Sequence, residues 1–365
     1  MLAHASERQD RYGQKQRLFL ACALQKAYGL PGPDLTGGRI RDEDIAQQFD
    51  AGQQHVKKHL TSLTAVFERL ENQDKEEGTR PYWALTHAIA FFMLEMCLLV
   101  DKRNVEIPVP VPHASLIRLI DRLLSHRYEV AVVDFNYDCV LETETWERPS
   151  IAHFGWDCGR ERHVIARDSE GTPLSELVKR KRFQPPLDAG SFQARAELIK
   201  PHGDMCTFLR GSKEVYYRGG RHSHTTSAIF PARLADISDD DWFVRSSILP
   251  PSRSRYRHRA AFYEQEASRF ENSLVGSDII IVIGWSGMGA DDYYEPIFER
   301  ARRTRSSRPR LVVINKALDD QRGHGECVVR RLSELFDVTI EPDDLLMDGF
   351  TEVSVRTVEG LLLGK

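Results

Sequence analysis

Apolar residues recur at helical spacing through much of the first third of the chain. From about Asp42 to Val100 they stand three and four positions apart among Gln, Glu and Lys, which predicts amphipathic helices. A polar run with a proline at residues 76–81 divides this region into two helical parts. The longest apolar stretch, Ala84 to Val100, includes His87 and Glu95, so we expect a buried helix and not a membrane span.

The last hundred residues alternate between strand-like and helix-like segments. Short runs of branched apolar residues predict buried strands, and longer segments with one apolar side predict the helices between them. The predicted helices are Ala260–Val275, Tyr293–Arg303 and Glu326–Phe336, and the predicted strands are Asp278–Ile283, Leu311–Asn315 and Val338–Ile340. This order and spacing are typical of a parallel, doubly wound sheet.

Similar elements precede this region. The pattern predicts an amphipathic helix at Ala114–Ser125, strands at Arg17–Ala23, Val130–Phe135 and Glu197–Lys200, and mostly loops at Thr143–Ala196 and Gly211–Arg259. The predicted fold class is therefore α/β, with a Rossmann-like parallel sheet. We expect one domain over residues 1–365, which contains a helical insertion at about 39–128.

Composition narrows the possible functions. Hydrophobic residues make up 41% of the chain, which is enough for a sizeable core. The net charge is −4 and the isoelectric point about 6.4, so we expect no direct binding of nucleic acid. The closest cysteines, Cys139 and Cys158, are 19 residues apart, so we expect neither a thiolate zinc site nor another metal. The polar residues 1–11 do not resemble a signal peptide, and we expect a cytoplasmic protein.

Three predicted strands end in residues suited to nucleotide binding. The residues are Asn136 and Asp138 after the first of these strands, His202 after the second, and Gly284 and Ser286 after the third. Ligands of open α/β sheets bind beyond the carboxyl ends of the strands, so we expect one site built from these three ends.

Each motif taken alone has an ordinary structural explanation. Asn and Asp are common turn residues, and a His-Gly pair is common in loops. Gly284 and Ser286 fit a plain turn between a strand and a helix. The prediction of a site therefore depends on the whole set and on its order.

Taken in order, these segments resemble the sirtuin-like NAD-consuming family, especially its bacterial branch from antiphage defence systems. That branch's Asn-Tyr-Asp element resembles Asn136-Tyr137-Asp138, and its His-Gly element resembles Lys200-Pro201-His202-Gly203. Its Gly-Tyr-Ser…Asp segment resembles Gly284-Trp285-Ser286 with Asp291 and Asp292. Its ribose-binding strand end resembles Val313-Ile314-Asn315. The resemblance covers residues 130–316 in pieces and implies a sirtuin-type Rossmann fold.

The resemblance implies an activity and assigns roles to residues. The activity is hydrolysis of NAD, as a substrate, to ADP-ribose and nicotinamide. His202 would be the general base, a role that suits imidazole because it exchanges protons near neutral pH. Asn136 would order the ribose or the attacking water, and Asp138 would contact the nicotinamide amide. We expect His202 and Asn136 to face one another across a cleft.

The resemblance also places the rest of the cofactor. Gly284 would allow close approach of the backbone, while Ser286 and Asn315 would lie at the adenosine end of the cleft. The family's Gly-Ala-Gly-x-Ser phosphate loop corresponds here to Ala21-Cys22-Ala23-Leu24-Gln25. We expect this segment to occupy the phosphate loop's position, with Ala21 and Ala23 against the diphosphate, and glycine at both positions to strengthen NAD binding.

Two hypotheses about function follow. The first is an NAD hydrolase acting as an antiphage effector, since the deacylases of the family carry a four-cysteine zinc module that this sequence lacks. The second is a catalytically weakened subunit that scaffolds or regulates a partner, such as a hexameric translocase ATPase or another defence protein. The intact Asn136 and His202 favour the first, and Ala21 and Ala23 favour the second. We also expect a homo-oligomer.

Three further features of the sequence have a chemical and an ordinary explanation. His55 and His59 are spaced to share a metal ion, but Lys57 and Lys58 between them favour a solvated helix face. The pair His222 and His224 lacks a nearby carboxylate. The arginines at residues 253–259 and 300–310 could bind phosphate or nucleic acid, form a subunit contact, or simply face solvent.

Overall fold

The computed structural model describes most of the helices and strands of the chain. The described residues are 2, 11–35, 40–59, 62–73, 81–89, 92, 111–138, 140–147, 152–158, 163–164, 194–204, 207–210, 214–217, 244–249, 261–285, 294–315, 324–346 and 348–364. The helices are α1 (Arg11–Tyr28), α2 (Asp42–His59), α3 (Leu63–Glu71), α4 (residues 81–89), α5 (Val111–Ser125), α6 (Val140–Glu147), α7 (Ala261–Gly276), α8 (Glu295–Thr304), α9 (His324–Phe336) and α10 (Glu352–Leu363). The strands are β1 (Ala131–Val133), β2 (Phe154–Asp157), β3 (His163–Val164), β4 (Ala194–Ile199), β5 (Thr207–Arg210), β6 (Glu214–Tyr217), β7 (Val244–Ser246), β8 (Ile279–Ile283), β9 (Arg310–Ile314) and β10 (Leu345–Leu346).

Two three-stranded parallel sheets contain the predicted strand ends. Their strand orders are β2-β4-β1 and β10-β9-β8. Val133 pairs with Ile199 in the first sheet, and Ile283 pairs with Ile314 in the second, so neighbouring strands end at the same level. The predicted α/β class with parallel strands is therefore confirmed. A third sheet, in the order β3-β6-β5-β7, is mixed and was not predicted.

Helices cover both faces of the second sheet. In β9, Leu311 and Val313 pack into one core with α7, α8 and α9, while Val312 and Ile314 pack into another with α5 and α10. This alternation follows from the pleat of a strand, which points successive side chains to opposite faces. It explains why residues 311–314 of β9 are all apolar.

The same cores join the two parallel sheets. Val133 of β1 and Ile199 of β4 belong to the core that also contains Val282 of β8. On the other side, Val130 packs in the core that includes Ile281. The carboxyl ends of β1, β4, β8 and β9 are thus held within one connected framework.

The predicted strand at Arg17–Ala23 is wrong, because this segment lies within helix α1. Its apolar residues have helical spacing at Phe19, Leu20, Ala23, Leu24 and Ala27, and all of these are buried, as are Ala21 and Cys22. Ala and Leu are also among the best helix formers, so propensity and pattern agree. A short window of apolar residues does not distinguish a buried strand from a buried helix.

Gly29-Leu30-Pro31 follows directly after this helix and closes it. Gly29 has a φ of +59°, and the N–H of Leu30 donates to the carbonyl of Gln25 at 3.0 Å. This is the usual arrangement in which a left-handed glycine closes a helix. It accounts for Gly29-Leu30-Pro31 without any ligand.

Helices α1 to α4 share one core, and Ile248 also belongs to it. The helical unit thus includes Leu2 and α1, both of which precede the predicted limit of 39. Helix α5 packs on the parallel sheets and not in this unit, so the unit ends before the predicted limit of 128. The last predicted strand, Val338–Ile340, is also misplaced: the chain first makes a short 3-10 turn at Pro342–Asp344 and pairs only at β10.

The helical state of α1 reverses the expectation for glycine at Ala21 and Ala23. Each Ala→Gly change in the interior of a helix costs about 1 kcal/mol. We expect the double variant to unfold at a lower denaturant concentration than the wild type and to gain no affinity for NAD in calorimetry. Tighter NAD binding by a correctly folded double variant would contradict the helical assignment.

Candidate functional site

The candidate site begins where β1 and β4 end side by side. The N–H of Asp134 donates to the carbonyl of Ile199 at 2.9 Å, which continues the pairing of the two strands to their last residues. Beyond this point the chain forms two turns, which we call the Asp134–Asp138 turn and the Lys200–Asp204 turn. Parallel pairing therefore brings Asn136 and His202 to the same edge of the sheet.

The Asp134–Asp138 turn is held by its own carboxylates. Asp134 accepts from the N–H of Asn136 at 3.0 Å, and Asp138 accepts from the N–H of Val140 at 3.1 Å, at the start of α6. These are the local bonds that favour Asp in turns and at helix starts. The side chain of Asn136 is exposed, whereas Asp138 already has a structural role.

His202 is 8% exposed and has a defined hydrogen bond. Its Nδ1 lies 3.1 Å from the carbonyl oxygen of Phe135. A carbonyl oxygen only accepts, so Nδ1 carries the proton and the lone pair of the neutral ring lies on Nε2. Nε2 itself is shielded from solvent. His202 is thus set up as a base at Nε2, although a substrate reaches that atom only after a local rearrangement.

Aromatic rings enclose the imidazole. The ring centroids of Phe135, Tyr137 and Tyr294 lie 5.1, 6.0 and 5.4 Å from that of His202. The hydroxyl of Tyr137 donates to the carbonyl of Leu249 at 2.6 Å, which fixes one side of this enclosure. Such surroundings fix the ring's orientation and keep water away from it.

Gly203 permits the close packing behind His202. It has a φ of +65°, and a Cβ atom built there would lie 1.8 Å from the carbonyl oxygen of Ser247. The N–H of Leu249 donates to the carbonyl of His202 at 2.7 Å, so the segment after β7 lies directly against the Lys200–Asp204 turn. The glycine of the His-Gly pair is therefore required for packing.

Lys200 lies beneath both turns and is fully buried. Its Nζ donates to the Asp134 carboxylate at 2.6 Å and to the carbonyl of Asp138 at 2.6 Å. The Glu142 carboxylate lies 3.5 Å from the same nitrogen. Burial raises the pKa of Glu142 to about 7; Lys200 opposes this shift, and the charges of Asp204 and Asp134 add to it.

The ends of β8 and β9 form the second part of the candidate site. Gly284 has a φ of +67°, is exposed, and has open space where a Cβ atom would stand. Asn315 is largely buried and donates from its side chain to the carbonyl of Trp285 at 2.8 Å, so it ties the two strand ends together. Ser286 lies outside the described residues, as do Asp291 and Asp292.

Tyr294 connects the two parts. It immediately precedes α8, the helix that follows β8, and its hydroxyl donates to the carbonyl of Pro201 at 3.0 Å. Its ring also lies 5.3 Å from that of Phe135. The residues that follow β1 and β4 are thus neighbours, and Phe135, Tyr294 and Trp285 belong to one core, whereas the opposed faces of a cleft between His202 and Asn136 stay a prediction.

Ala21 and Ala23 lie within the helical core, against which Tyr137 of the Asp134–Asp138 turn also packs. Both side chains are 0% exposed and lie in the core of the helical unit. They stand in the interior of α1, where backbone N–H groups are already bonded within the helix and are not free to bind a diphosphate. The cofactor contact assigned to these two alanines therefore lacks a structural basis.

The arginines at 300–310 mostly pair with neighbouring acids. Arg300 contacts Glu271 at 2.8 Å, Arg308 contacts Asp337 at 3.0 Å, and Arg310 contacts Asp344 at 2.6 Å. These pairs neutralise much of the basic run, so a phosphate-binding surface there is not favoured. The run at 253–259 and the pair His222 and His224 lie outside the described residues.

Within the described ranges, no cluster of three or more His, Cys, Asp or Glu side chains could hold a metal ion. His55 and His59 stack on each other with ring centroids 4.5 Å apart, and Tyr28 stacks on His55. None of the described helices is long and apolar enough to cross a membrane.

Several residues of the site were not predicted from the sequence. Lys200 stands in the sequence only as part of the His-Gly motif, and no sequence pattern assigns a role to Phe135, Glu142 or Tyr294. The one available signal was the position of a lysine directly after the apolar end of a predicted strand, where a charged side chain must find a buried partner. The partner itself, Asp134, is 66 residues away and is not apparent from local sequence.

No family model, curated protein or solved structure matches this chain. A function for this chain therefore depends on the chemistry of the site itself.

The close contact behind His202 predicts a large effect of Gly203→Ala. The new methyl group meets the Ser247 backbone and also demands a positive φ, so we expect a loss of roughly 2–4 kcal/mol in the free energy of unfolding. The matched control is Gly29→Ala, which has a similar φ of +59° but no atom within 4 Å of the new Cβ. The control should lose only about 1 kcal/mol in chemical denaturation. Equal losses in both variants would show that the Ser247 contact is not tight.

The raised pKa of Glu142 predicts a specific dependence of stability on pH. The folded protein keeps this proton up to about pH 7, whereas the unfolded chain releases it near the ordinary glutamate pKa of 4.5. The folded state then binds more protons between these values, so the contribution of Glu142 to stability is fully present below pH 4.5 and falls as the pH rises to 7. The fall is up to about 3 kcal/mol.

Glu142→Gln should abolish this fall. We expect the wild type to lose stability relative to this variant as the pH rises from 4.5 to 7.5, measured by chemical denaturation. Glu264→Gln, at an exposed position on α7, is the control and should follow the wild type at every pH. A constant difference between wild type and Glu142→Gln would show that the carboxyl group titrates normally.

Proposed function

We propose that this protein hydrolyses the nicotinamide–ribose bond of NAD, at a site on the carboxyl edge of a sirtuin-like, Rossmann-type parallel sheet. One observation carries the proposal: the Nδ1 of His202 donates to the carbonyl of Phe135, which leaves the lone pair of the neutral ring on Nε2, and the next residue after Phe135 is the exposed Asn136. A base with a fixed tautomer at the edge where α/β sheets bind nucleotides suits hydrolysis of a glycosidic bond.

The proposed reaction uses water as the second substrate. The bond from C1′ of the ribose to the ring nitrogen of nicotinamide breaks, and its electron pair neutralises the positively charged ring. The ribose passes through a state resembling an oxocarbenium ion, as in other glycosyl cleavage. Water attacks C1′, its proton passes to Nε2 of His202, and Asn136 orients the water or the ribose. The products are nicotinamide and ADP-ribose.

The proposal places the rest of NAD towards the ends of β8 and β9. Gly284 supports this placement because it is exposed, has a positive φ, and leaves open space at the turn. A backbone of this kind lets a ligand approach closely. The adenosine end would then lie near Asn315, whose amide also ties β8 to β9.

A second function is favoured by two specific observations. Helix α1 occupies the segment compared with the phosphate loop, and Nε2 of His202 is shielded from solvent. Both features suit a subunit with weak or conditional catalysis that scaffolds or regulates a partner of the ATPase, translocase or defence type. Self-assembly or a partner would then be needed to open the site.

The test of the enzyme is NAD consumption by the purified full chain, followed by separation of nicotinamide and ADP-ribose. His202→Gln should reduce turnover by about 100-fold or more, which is typical for loss of a general base. Asn136→Ala should reduce turnover at least tenfold, on the order expected when one positioning contact is lost. His59→Gln and Asn272→Ala, both at exposed helix positions, are matched controls and should retain full activity.

Two outcomes oppose the proposal in different ways. Equal NAD loss in wild type and in the His202 and Asn136 variants would show that other residues catalyse the reaction. No NAD loss by the wild type, together with no NAD binding in calorimetry, would favour the scaffold.

A further inference from the structure

The ammonium group of Lys200 is a buried cross-link between the two turns of the candidate site. It lies within 2.6 Å of Asp134 Oδ2 and of the Asp138 carbonyl oxygen, and 3.4 Å from the carbonyl oxygen of Asn136. An ammonium has three donor hydrogens, and these three acceptors all belong to the Asp134–Asp138 turn. The side chain therefore fixes both ends and the middle of that turn.

The burial of this lysine is costly and needs an explanation. A fully buried charge is tolerated only when it is paired and hydrogen-bonded. Hydrophobic packing alone would have been simpler at a position that follows the apolar Leu198 and Ile199. The charge instead binds the backbone carbonyls of Asn136 and Asp138.

The consequence for His202 is geometric. The carbonyl of Phe135 accepts from His202 Nδ1, and Phe135 stands between Asp134 and Asn136, both of which Lys200 contacts. Moving either contact would turn the Phe135 peptide and remove the acceptor that fixes the proton on Nδ1. The position of the proton on the ring therefore depends on the shape of the turn.

The carboxylates around Lys200 support the same assignment. Asp134 accepts from Lys200 with Oδ2 and from the N–H of Asn136 with Oδ1, so one side chain joins the ammonium to the turn's backbone. Glu266 on α7 accepts from the backbone N–H of Lys200 at 2.8 Å and pairs with Arg269 at 3.1 Å. Lys200 is thus fixed at its backbone and acts on the turn through its side chain.

We propose that Lys200 is a positioning residue of the candidate site, whose buried ammonium sets the shape of the Asp134–Asp138 turn and thereby holds His202 in the tautomer with its lone pair on Nε2. Lys200 touches no substrate atom. The catalytic consequence rests on the proposed function, but the tautomer itself does not.

The first test is the tautomer of His202 in the full-length protein, read from ring ¹⁵N chemical shifts with ¹⁵N-labelled histidine. The His202 signal is assigned by its absence in His202→Gln. Wild type should show protonation at Nδ1, and Lys200→Met should shift the neutral ring towards protonation at Nε2. Lys58→Met, at an exposed position on α2, is the control and should leave the signal unchanged.

A second variant is needed in case Lys200→Met does not fold. Lys200→Met leaves the Asp134 carboxylate buried without its counter-charge, which destabilises strongly. The triple variant Lys200→Met, Asp134→Asn, Glu142→Gln removes the ammonium group and both acidic groups and keeps the side-chain sizes similar. It should fold and still lose the Nδ1-protonated form, since neither Met nor Asn replaces the cross-link to the carbonyls. A folded triple variant with the wild-type tautomer would overturn the proposal.

Activity is the second readout. For a hydrolase, the variant that folds should lose at least about tenfold in kcat with little change in KM, because a misplaced base affects the chemical step. An unchanged kcat in the folded variant would also overturn the positioning role. If the wild type hydrolyses no NAD, the proposed function fails while the tautomer measurement still decides the role of Lys200.

Discussion

The buried ion pair between Lys200 and Asp134 connects the fold to the candidate site. The two residues directly follow β4 and β1, so parallel pairing places them side by side. Their pairing keeps a charge stable in the interior and simultaneously ties down the turn that carries Asn136 and faces His202. Removing the pair would release both turns at once, which is why stability and chemistry are linked at this point.

The surroundings of His202 are also built from distant parts of the chain. Phe135 supplies its hydrogen-bond acceptor, Tyr294 encloses it from the helix after β8, and Ser247 forces glycine at position 203. Each contact narrows the positions that the imidazole can take. The result is a base with a defined proton position inside a mostly aromatic enclosure, and its accessibility then depends on a local opening of the site.

Helix α1 changes how a nucleotide could bind. A phosphate loop needs backbone N–H groups that are free at the start of a helix, whereas those of Ala21 and Ala23 lie inside one. Among the described residues, the turn at Gly284 is the part of the sheet edge with exposed backbone and a positive φ. A diphosphate at this edge would therefore be held by groups other than the N–H groups of Ala21 and Ala23.

Local sequence determined the strands and helices in which the apolar pattern and the conformational propensity of the residues agree. The strands near Val130–Phe135, Glu197–Lys200, Asp278–Ile283 and Leu311–Asn315 form within a few residues of the predicted limits, because branched apolar runs between turn residues have few other stable states. The same local signals located Asn136 and His202 at strand ends. Their meeting at one edge followed from parallel pairing, which the spacing of strands and helices had suggested.

Only the tertiary structure decided the remaining features. The segment around Ala21 is apolar enough for a strand, and packing of its helical face against α2 and α3 made it a helix. The partner of Lys200, the tautomer of His202 and the need for Gly203 depend on contacts between residues far apart in the chain. Hydrogen bonds and close packing act over a few ångströms in space, and separation along the sequence gives no measure of that distance.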